Sequence, residues 1–252
     1  MNAAIKEGDM STNTIEVGTP RGTMPVHVHR AEREEVSPVV VLYMDAPGVR
    51  PALHEHAERL AGAGYTALLP DLYYPFDPSE GPSVERLGAG DPREFERMRA
   101  LVARVHDDDV IEDTRLMLEA LPDQSVGPWG CVGFCMGGRF GLRGAEAFGS
   151  ELAAASLLHP SRIVTDEPDS PHLAVGRIAG ALYLGFGEAD RVTPVSNIPP
   201  LREQLEQHGV EHRIDVLPGA EHGYSMPDRP AYNREAAERA WAQTLELLRR
   251  RL

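Results

Sequence analysis

The sequence predicts an α/β fold, with a mostly parallel central sheet, helices on both faces and an antiparallel hairpin at the N-terminal edge. Three observations carry that prediction. From residue 38 onward, short apolar runs alternate with stretches of helical periodicity. One run, Val39-Val40-Val41-Leu42-Tyr43, is apolar throughout, as strands covered on both faces are. A glycine-flanked cysteine, Gly133-Phe134-Cys135-Met136-Gly137, stands where another such run gives way to a helical stretch.

Residues 1–13 are polar and read as a frayed terminus, leaving 14–252 as one domain. Residues 14–17 and 23–30 read as the hairpin. Val26, Val28 and Arg30 alternate there with His27 and His29, which are expected on a wet face. The strand over 38–44 breaks at Asp45-Ala46-Pro47-Gly48. A helix over 51–64 follows, with Leu53, Ala57, Leu60 and Ala61 on one face and Gly62 and Gly64 to stop it. After a strand over 65–69, residues 75–91 are rich in Pro, Gly and Ser and predict a long surface loop, a lid over the strand ends. Residues 92–105 and 107–121 read as one broken helix or two consecutive helices with apolar stripes, and Asp107-Asp108-Asp109 suits a helix start whose free N–H groups carboxylates would cap.

The strand over 129–134 leads into Cys135 and a helix over 136–148 stopped by Gly149. Strands over 152–159, 180–186 and 211–217 follow, with a helix over 194–208 closed by Gly209. A long helix over 228–252 ends the chain, turning Ala237, Ala240, Trp241, Thr244, Leu245 and Leu248 to the sheet.

Charge and cysteine usage narrow the function. The 39 acidic against 25 basic residues give a net charge of −14, which argues against nucleic acid and anionic membranes as partners. Neither a membrane-spanning apolar run nor a secretory leader is seen. The two cysteines, Cys131 and Cys135, share one strand and its end, so neither a structural disulfide nor zinc spacing is expected. A cytoplasmic enzyme with a free reactive thiol, no metal and no cofactor fits these features, as a monomer or small homo-oligomer.

The cysteine motif has a mechanical meaning. A sharp strand-to-helix turn projects the nucleophile above the sheet, and the positions two before and two after must lack bulk. The helix N-terminus then favours a thiolate and any adjoining oxyanion. Asp190 follows the strand 180–186 and His222 follows 211–217, so Cys135, Asp190 and His222 share the carboxyl edge of the sheet in the order nucleophile, acid, histidine. Singly, Asp190 also reads as a turn former and Cys135 as an inert buried thiol. Together they can relay a proton: imidazole takes it from the thiol, and carboxylate orients and stabilises the imidazolium.

The segments Gly133-Phe134-Cys135-Met136-Gly137-Gly138, Gly187-Glu188-Ala189-Asp190-Arg191, Gly219-Ala220-Glu221-His222-Gly223-Tyr224, Asp45-Ala46-Pro47-Gly48 and Leu69-Pro70-Asp71-Leu72-Tyr73-Tyr74 resemble the dienelactone hydrolase family over residues 36–248. The resemblance implies an α/β-hydrolase fold and hydrolysis of a small ester or lactone through an acyl-thioester on Cys135. It also implies that Asp45, standing where the family has Glu, controls the thiol, and that the backbone N–H groups of Ala46 and Met136 hold the oxyanion. Two arginines that hold a substrate carboxylate in the family are replaced here by Pro75 and Met226. Arg50, Arg139 and Arg229 are the candidates to compensate, each more simply read as a surface residue. Tyr73, Tyr74, Phe76, Tyr224 and Met226 therefore suggest an apolar pocket for an uncharged ester or lactone. The alternative is a non-catalytic ligand-binding or regulatory domain that kept the three residues.

Overall fold

The computed structural model describes residues 10–31, 37–121 and 127–252. Eight strands form one sheet in the order β1-β2-β4-β3-β5-β6-β7-β8. The hairpin strands β1 (Met10–Thr19) and β2 (Gly22–Ala31) lie antiparallel to each other, and β2 lies antiparallel to β4 (Thr66–Pro70). The remaining pairs are parallel, through β3 (Val39–Tyr43), β5 (Trp129–Phe134), β6 (Leu152–Leu158), β7 (Ala181–Gly187) and β8 (His212–Leu217). Each parallel step needs a crossover, which the helical stretches supply.

The hairpin is longer than its sequence suggests. Thr19 pairs with Gly22, which leaves Pro20 and Arg21 as the turn. Residues 10–13, expected to be frayed, pair with 28–31 in β1; residues 1–9 of that expectation lie outside the described residues. His29 is also not on a wet face. It is 2% exposed, with Nε2 3.0 Å from His54 Nδ1 and Nδ1 3.2 Å from Thr12 Oγ1. Helix α1 (Pro51–Gly62) packs over that end of β2, so the alternating pattern gives a face covered by a helix.

The segment 75–91 is partly ordered by its own caps. Asp77 and Glu80 form a reciprocal cap around a 3-10 turn at Pro78–Glu80, and Ser83 caps the short helix α2 (Val84–Gly88). Helices α3 (Pro92–Val102) and α4 (Asp107–Glu119) follow as two separate elements. The acidic run at the start of α4 makes no cap hydrogen bond through its N-cap residue, His106. Asp107 instead binds Arg139 and Arg143, and Asp109 binds Arg21, so these acids cross-link elements. Helix α5 (Met136–Phe148) follows the elbow and packs on β5 and β6. Helix α6 (Ile198–Gln207) precedes β8. Helix α7 (Arg234–Arg251) begins six residues later than 228, because Asn233 caps it and 228–232 are loop. Its buried face holds Ala237, Ala240, Trp241, Thr244 and Leu248 as expected.

All five loops that matter below, after β3, β5, β6, β7 and β8, leave the same edge of the parallel sheet.

Candidate active site

Strand β5 is wholly buried and its neighbours β3 and β6 hold it in register, so Cys135 leaves the sheet at a fixed height. The residue has φ 53° and ψ −113°, a strained conformation for a side chain other than glycine. The flanking glycines are demanded by contact. A Cβ on Gly133 would lie 2.2 Å from the Gly137 carbonyl oxygen, and one on Gly137 would lie 2.3 Å from that of Tyr43. Strand, elbow and helix therefore close on one another with no room for a methyl group.

The structure brings together the three side chains that the sequence singled out. His222 Nε2 lies 3.1 Å from Cys135 Sγ, and His222 Nδ1 lies 2.8 Å from Asp190 Oδ2. Asp190 forms the turn that one of its sequence readings expected and also faces His222. Its Oδ1 accepts the N–H groups of Val192 and Thr193, each at 2.8 Å, and forms the turn, while Oδ2 faces the imidazole. The carboxylate is thus fixed before it orients the ring.

Electrostatics follow from that geometry. Burial would raise the Cys135 thiol, but the His222 imidazolium and its hydrogen bond pull it below its ordinary value. Burial would lower His222, but the Cys135 thiolate and the Asp190 carboxylate raise it to about 10. Both shifts run in the direction that favours a thiolate beside an imidazolium. Cys131 behaves oppositely: burial alone pushes its thiol up, so it is inert.

Asp45 lies beside this pair but does not bond the sulfur. Both of its oxygens are taken by Arg50, through Nη1 and, at 3.0 Å, Nη2. Arg50 also donates to Asp228 from Nε at 2.6 Å and Nη2 at 3.1 Å. The expectation that Arg50 is a surface residue is therefore overturned: it is 8% exposed and ties the β3 loop to the β8 loop. Burial raises the Asp45 carboxyl and the guanidinium opposes that shift. The nearby Asp45 charge in turn disfavours the thiolate.

The N–H groups of Ala46 and Met136 have no hydrogen-bond partner among the described residues. Tyr73 steadies this corner: its hydroxyl donates to the Ala46 carbonyl at 2.7 Å and approaches Met136 Sδ at 3.8 Å. The other pocket candidates separate. Tyr74 turns to the hairpin and α4, with its hydroxyl 2.6 Å from Thr19 Oγ1 and 3.1 Å from Asp113 Oδ1. Tyr224 and Met226 are fully buried and seat the β8 loop on the core, so an apolar lining role is corrected to packing. Phe76 stacks under the Arg104 guanidinium, 4.1 Å from its centroid. Arg139 is occupied by Asp107. Arg229 acts electrostatically on Asp45 and His159, and its Nη1 is buried without a partner.

Sequence reasoning missed His56, His159, Ser161 and Ser225. Ser225 is held at two atoms: His56 Nε2 donates to its carbonyl at 3.1 Å, and His159 Nε2 lies 2.7 Å from its hydroxyl. The His159 ring also meets His222 edge-on, with centroids 5.1 Å apart. Two neutral imidazoles thus brace the loop that carries His222. The signal that could have found His159 and Ser161 is their address, directly after β6 on the edge that carries Cys135. Arg50 had no such signal, since five residues of loop and an arginine predict nothing about burial.

The buried neutral histidines make the fold acid-sensitive. Burial lowers His29 and His56 to about 4 and His159 further. Each is neutral in the fold and titrates near 6.5 when unfolded, so the stability it contributes is complete above pH 6.5 and is lost as pH falls toward 4. The midpoint of thermal unfolding is expected to fall across that window. His56→Gln, which keeps a donor toward Ser225, is expected to flatten the dependence; an unchanged slope would remove His56 from the account.

Among the described residues, no group of three or more His, Cys, Asp or Glu side chains is arranged to hold a metal ion. No described helix is long and apolar enough to cross a membrane.

Residues 26–252 match the family model described as the dienelactone hydrolase family. The chain belongs to the dienelactone hydrolase family. Its relatives in that family are distant but collinear. A Synechocystis protein named "Putative carboxymethylenebutenolidase" is 28% identical over 251 residues, covering 97% of this chain and 98% of the relative. A Bradyrhizobium protein named "Probable 2-oxo-3-(5-oxofuran-2-ylidene)propanoate lactonase" is 24% identical, covering 95% of this chain and 96% of the relative. Among solved structures, a Klebsiella pneumoniae protein titled "Putative Dienelactone Hydrolase" superposes with a TM-score of 0.83 at 23% identity, covering 95% of this chain and 98% of the other. The eight-stranded sheet is accordingly the α/β-hydrolase fold as this hydrolase family builds it.

Proposed function

We propose that this dienelactone hydrolase family member hydrolyses small esters or lactones through an acyl-thioester on Cys135. The observation that supports the reading most is the unbroken relay from Asp190 through His222 to the Cys135 sulfur, at 2.8 and 3.1 Å. The thiolate attacks the carbonyl carbon, and the resulting oxyanion sits against the Ala46 and Met136 N–H groups. His222 then gives its proton to the departing alkoxide or enolate. Water, deprotonated by the now neutral His222 or by an opened enolate that has left unprotonated, attacks the thioester carbonyl and expels the thiolate. Asp190 stays ionised throughout and keeps Nδ1–H of the ring pointed away from the sulfur. Asp45, clamped by Arg50, sets the local field and takes no proton in this scheme.

Uncharged substrates follow from the occupied arginines: Arg50 and Arg139 already hold carboxylates. A second reading, carboxylate-bearing lactones, is favoured by one observation, the unpartnered Nη1 of Arg229 close to Asp45. Both are tested by intact-protein mass spectrometry after rapid quenching with paired aryl esters, one neutral and one bearing a carboxylate. An acyl adduct on Cys135 is expected, forming faster from the neutral ester. Faster acylation by the charged ester would select the second reading. Stoichiometric ligand binding without any adduct would select a non-catalytic binding role.

A further inference from the structure

We propose that Ser161 is a catalytic residue that donates its hydroxyl proton in a hydrogen bond to the Cys135 thiolate; this rests on the reading of Cys135 as the nucleophile. The hydroxyl Oγ lies 3.6 Å from Cys135 Sγ, within reach of a sulfur hydrogen bond. Ser161 is 7% exposed, and among the described residues its hydroxyl has no other partner. Facing a thiolate, which can only accept, a buried hydroxyl with no other protein partner directs its proton to the sulfur, because leaving it unpaired costs free energy.

The backbone explains why the hydroxyl is held there. Cys135 N–H donates to the Leu158 carbonyl at 3.2 Å, and Ser161 N–H donates back to the Cys135 carbonyl at 2.9 Å. His159 N–H donates to the Gly185 carbonyl at 2.8 Å, which locks the same turn to β7. Among the described residues, the non-glycine positions with positive φ are Cys135, His159 and Arg162, so strain gathers in these two laced turns. A Cβ on Gly138 would lie 2.6 Å from Pro160 Cβ, which shows how closely the β6 turn presses on the elbow. The Ser161 backbone therefore cannot move away from the elbow without breaking the lacing.

As a thiol the sulfur donates to Ser161 Oγ; once ionised it can only accept, and the His222 imidazolium and the Ser161 hydroxyl then face it as two donors from different elements. A second donor stabilises the thiolate when it forms, keeps Sγ from rotating away from the carbonyl it attacks, and is released as the charge leaves sulfur in the thioester. Ser161 also lines a cavity of about 680 Å³ together with Met136, Phe140, Arg139 and Arg162.

The test is the pH dependence of Cys135 alkylation by iodoacetamide, followed by peptide mapping, in wild type, Ser161→Ala and Ser161→Thr. In Ser161→Ala the apparent pKa of the Cys135–His222 pair is expected to rise by about one unit, the effect of losing one hydrogen bond to a charged group. The limiting rate at high pH is expected to rise about threefold, because a more basic thiolate is more nucleophilic. A structural loosening of the loop would lower that limiting rate. Ser161→Thr, which keeps the hydroxyl, is expected to restore the wild-type profile and is the arm to read if the alanine variant unfolds. An Ala profile superimposable on wild type, or a Thr profile displaced by the same unit, overturns the role of Ser161 alone. Failure of wild-type Cys135 to alkylate below its ordinary pKa overturns the nucleophile reading instead.

Discussion

Cys135→Ala is expected to lower kcat/KM for an activated aryl ester by at least about 10⁴-fold, with the cooperative unfolding transition retained. The size follows from what the sulfur does. Without it no thioester forms, and only the oxyanion donors and the bound geometry remain to assist direct attack by water. Retention of the fold follows from the backbone: the elbow is closed by Gly133 and Gly137 against each other and against Tyr43, not by the cysteine side chain. His222→Ala is expected to cost about as much, since a thiol without its base is mostly protonated at neutral pH. The check is steady-state turnover beside near-ultraviolet circular dichroism. Turnover within tenfold of wild type in a folded Cys135→Ala protein would refute nucleophilic catalysis by this residue.

Arg50→Ala is expected to destabilise the protein by about 3–5 kcal/mol, the usual effect of removing one partner from a buried ion pair. The Arg50 and Asp45 side chains are 7% and 6% exposed, so Asp45 would be left as an unpaired carboxylate away from water. Asp228, 30% exposed, would recover solvent and contribute less. Neutralising the stranded group is therefore the diagnostic. Asp45→Asn placed on Arg50→Ala is expected to recover part of the loss, as seen in urea-unfolding midpoints at constant slope. Additive losses in the double variant would mean that Arg50 acts through packing of its stem and not through the Asp45 charge. The same variant bears on the thiol, because an unclamped Asp45 beside the sulfur would oppose thiolate formation more strongly.

These two sites mark how far the sequence reaches. The clustering of Cys135, Asp190 and His222 was legible because each stands directly after a strand, and in a parallel sheet all such positions share one edge. The elbow was legible because contact between backbones admits only glycine at its flanks, and that requirement is written as residue type. The strand-helix alternation was legible from apolar periodicity, although element ends moved by one to six residues where caps such as Asn233 decide the start. The frayed reading of 10–13 failed because pairing in β1 is a property of β2 and leaves little trace in a polar edge strand. His29 failed for a related reason: alternation tells two faces apart but not whether a helix covers the second one.

Side-chain partners across loops were less legible still. Tyr73 and Tyr74 are adjacent and chemically equal, yet one steadies the Ala46 corner and the other joins the hairpin to α4. Tyr224 and Met226 belong to the core because the β8 loop folds back onto it, held through Ser225 by histidines from α1 and the β6 turn. Local sequence determined the sheet, its glycine-closed elbow and the common edge on which cysteine, aspartate and histidine stand, since those depend on periodicity, residue size and chain order. Only the tertiary structure decided that Arg50 clamps Asp45, that two neutral histidines brace the His222 loop and that the Ser161 hydroxyl faces the sulfur. Those contacts join residues from separate loops, and their energy comes from burial and charge that exist only once the loops have packed together.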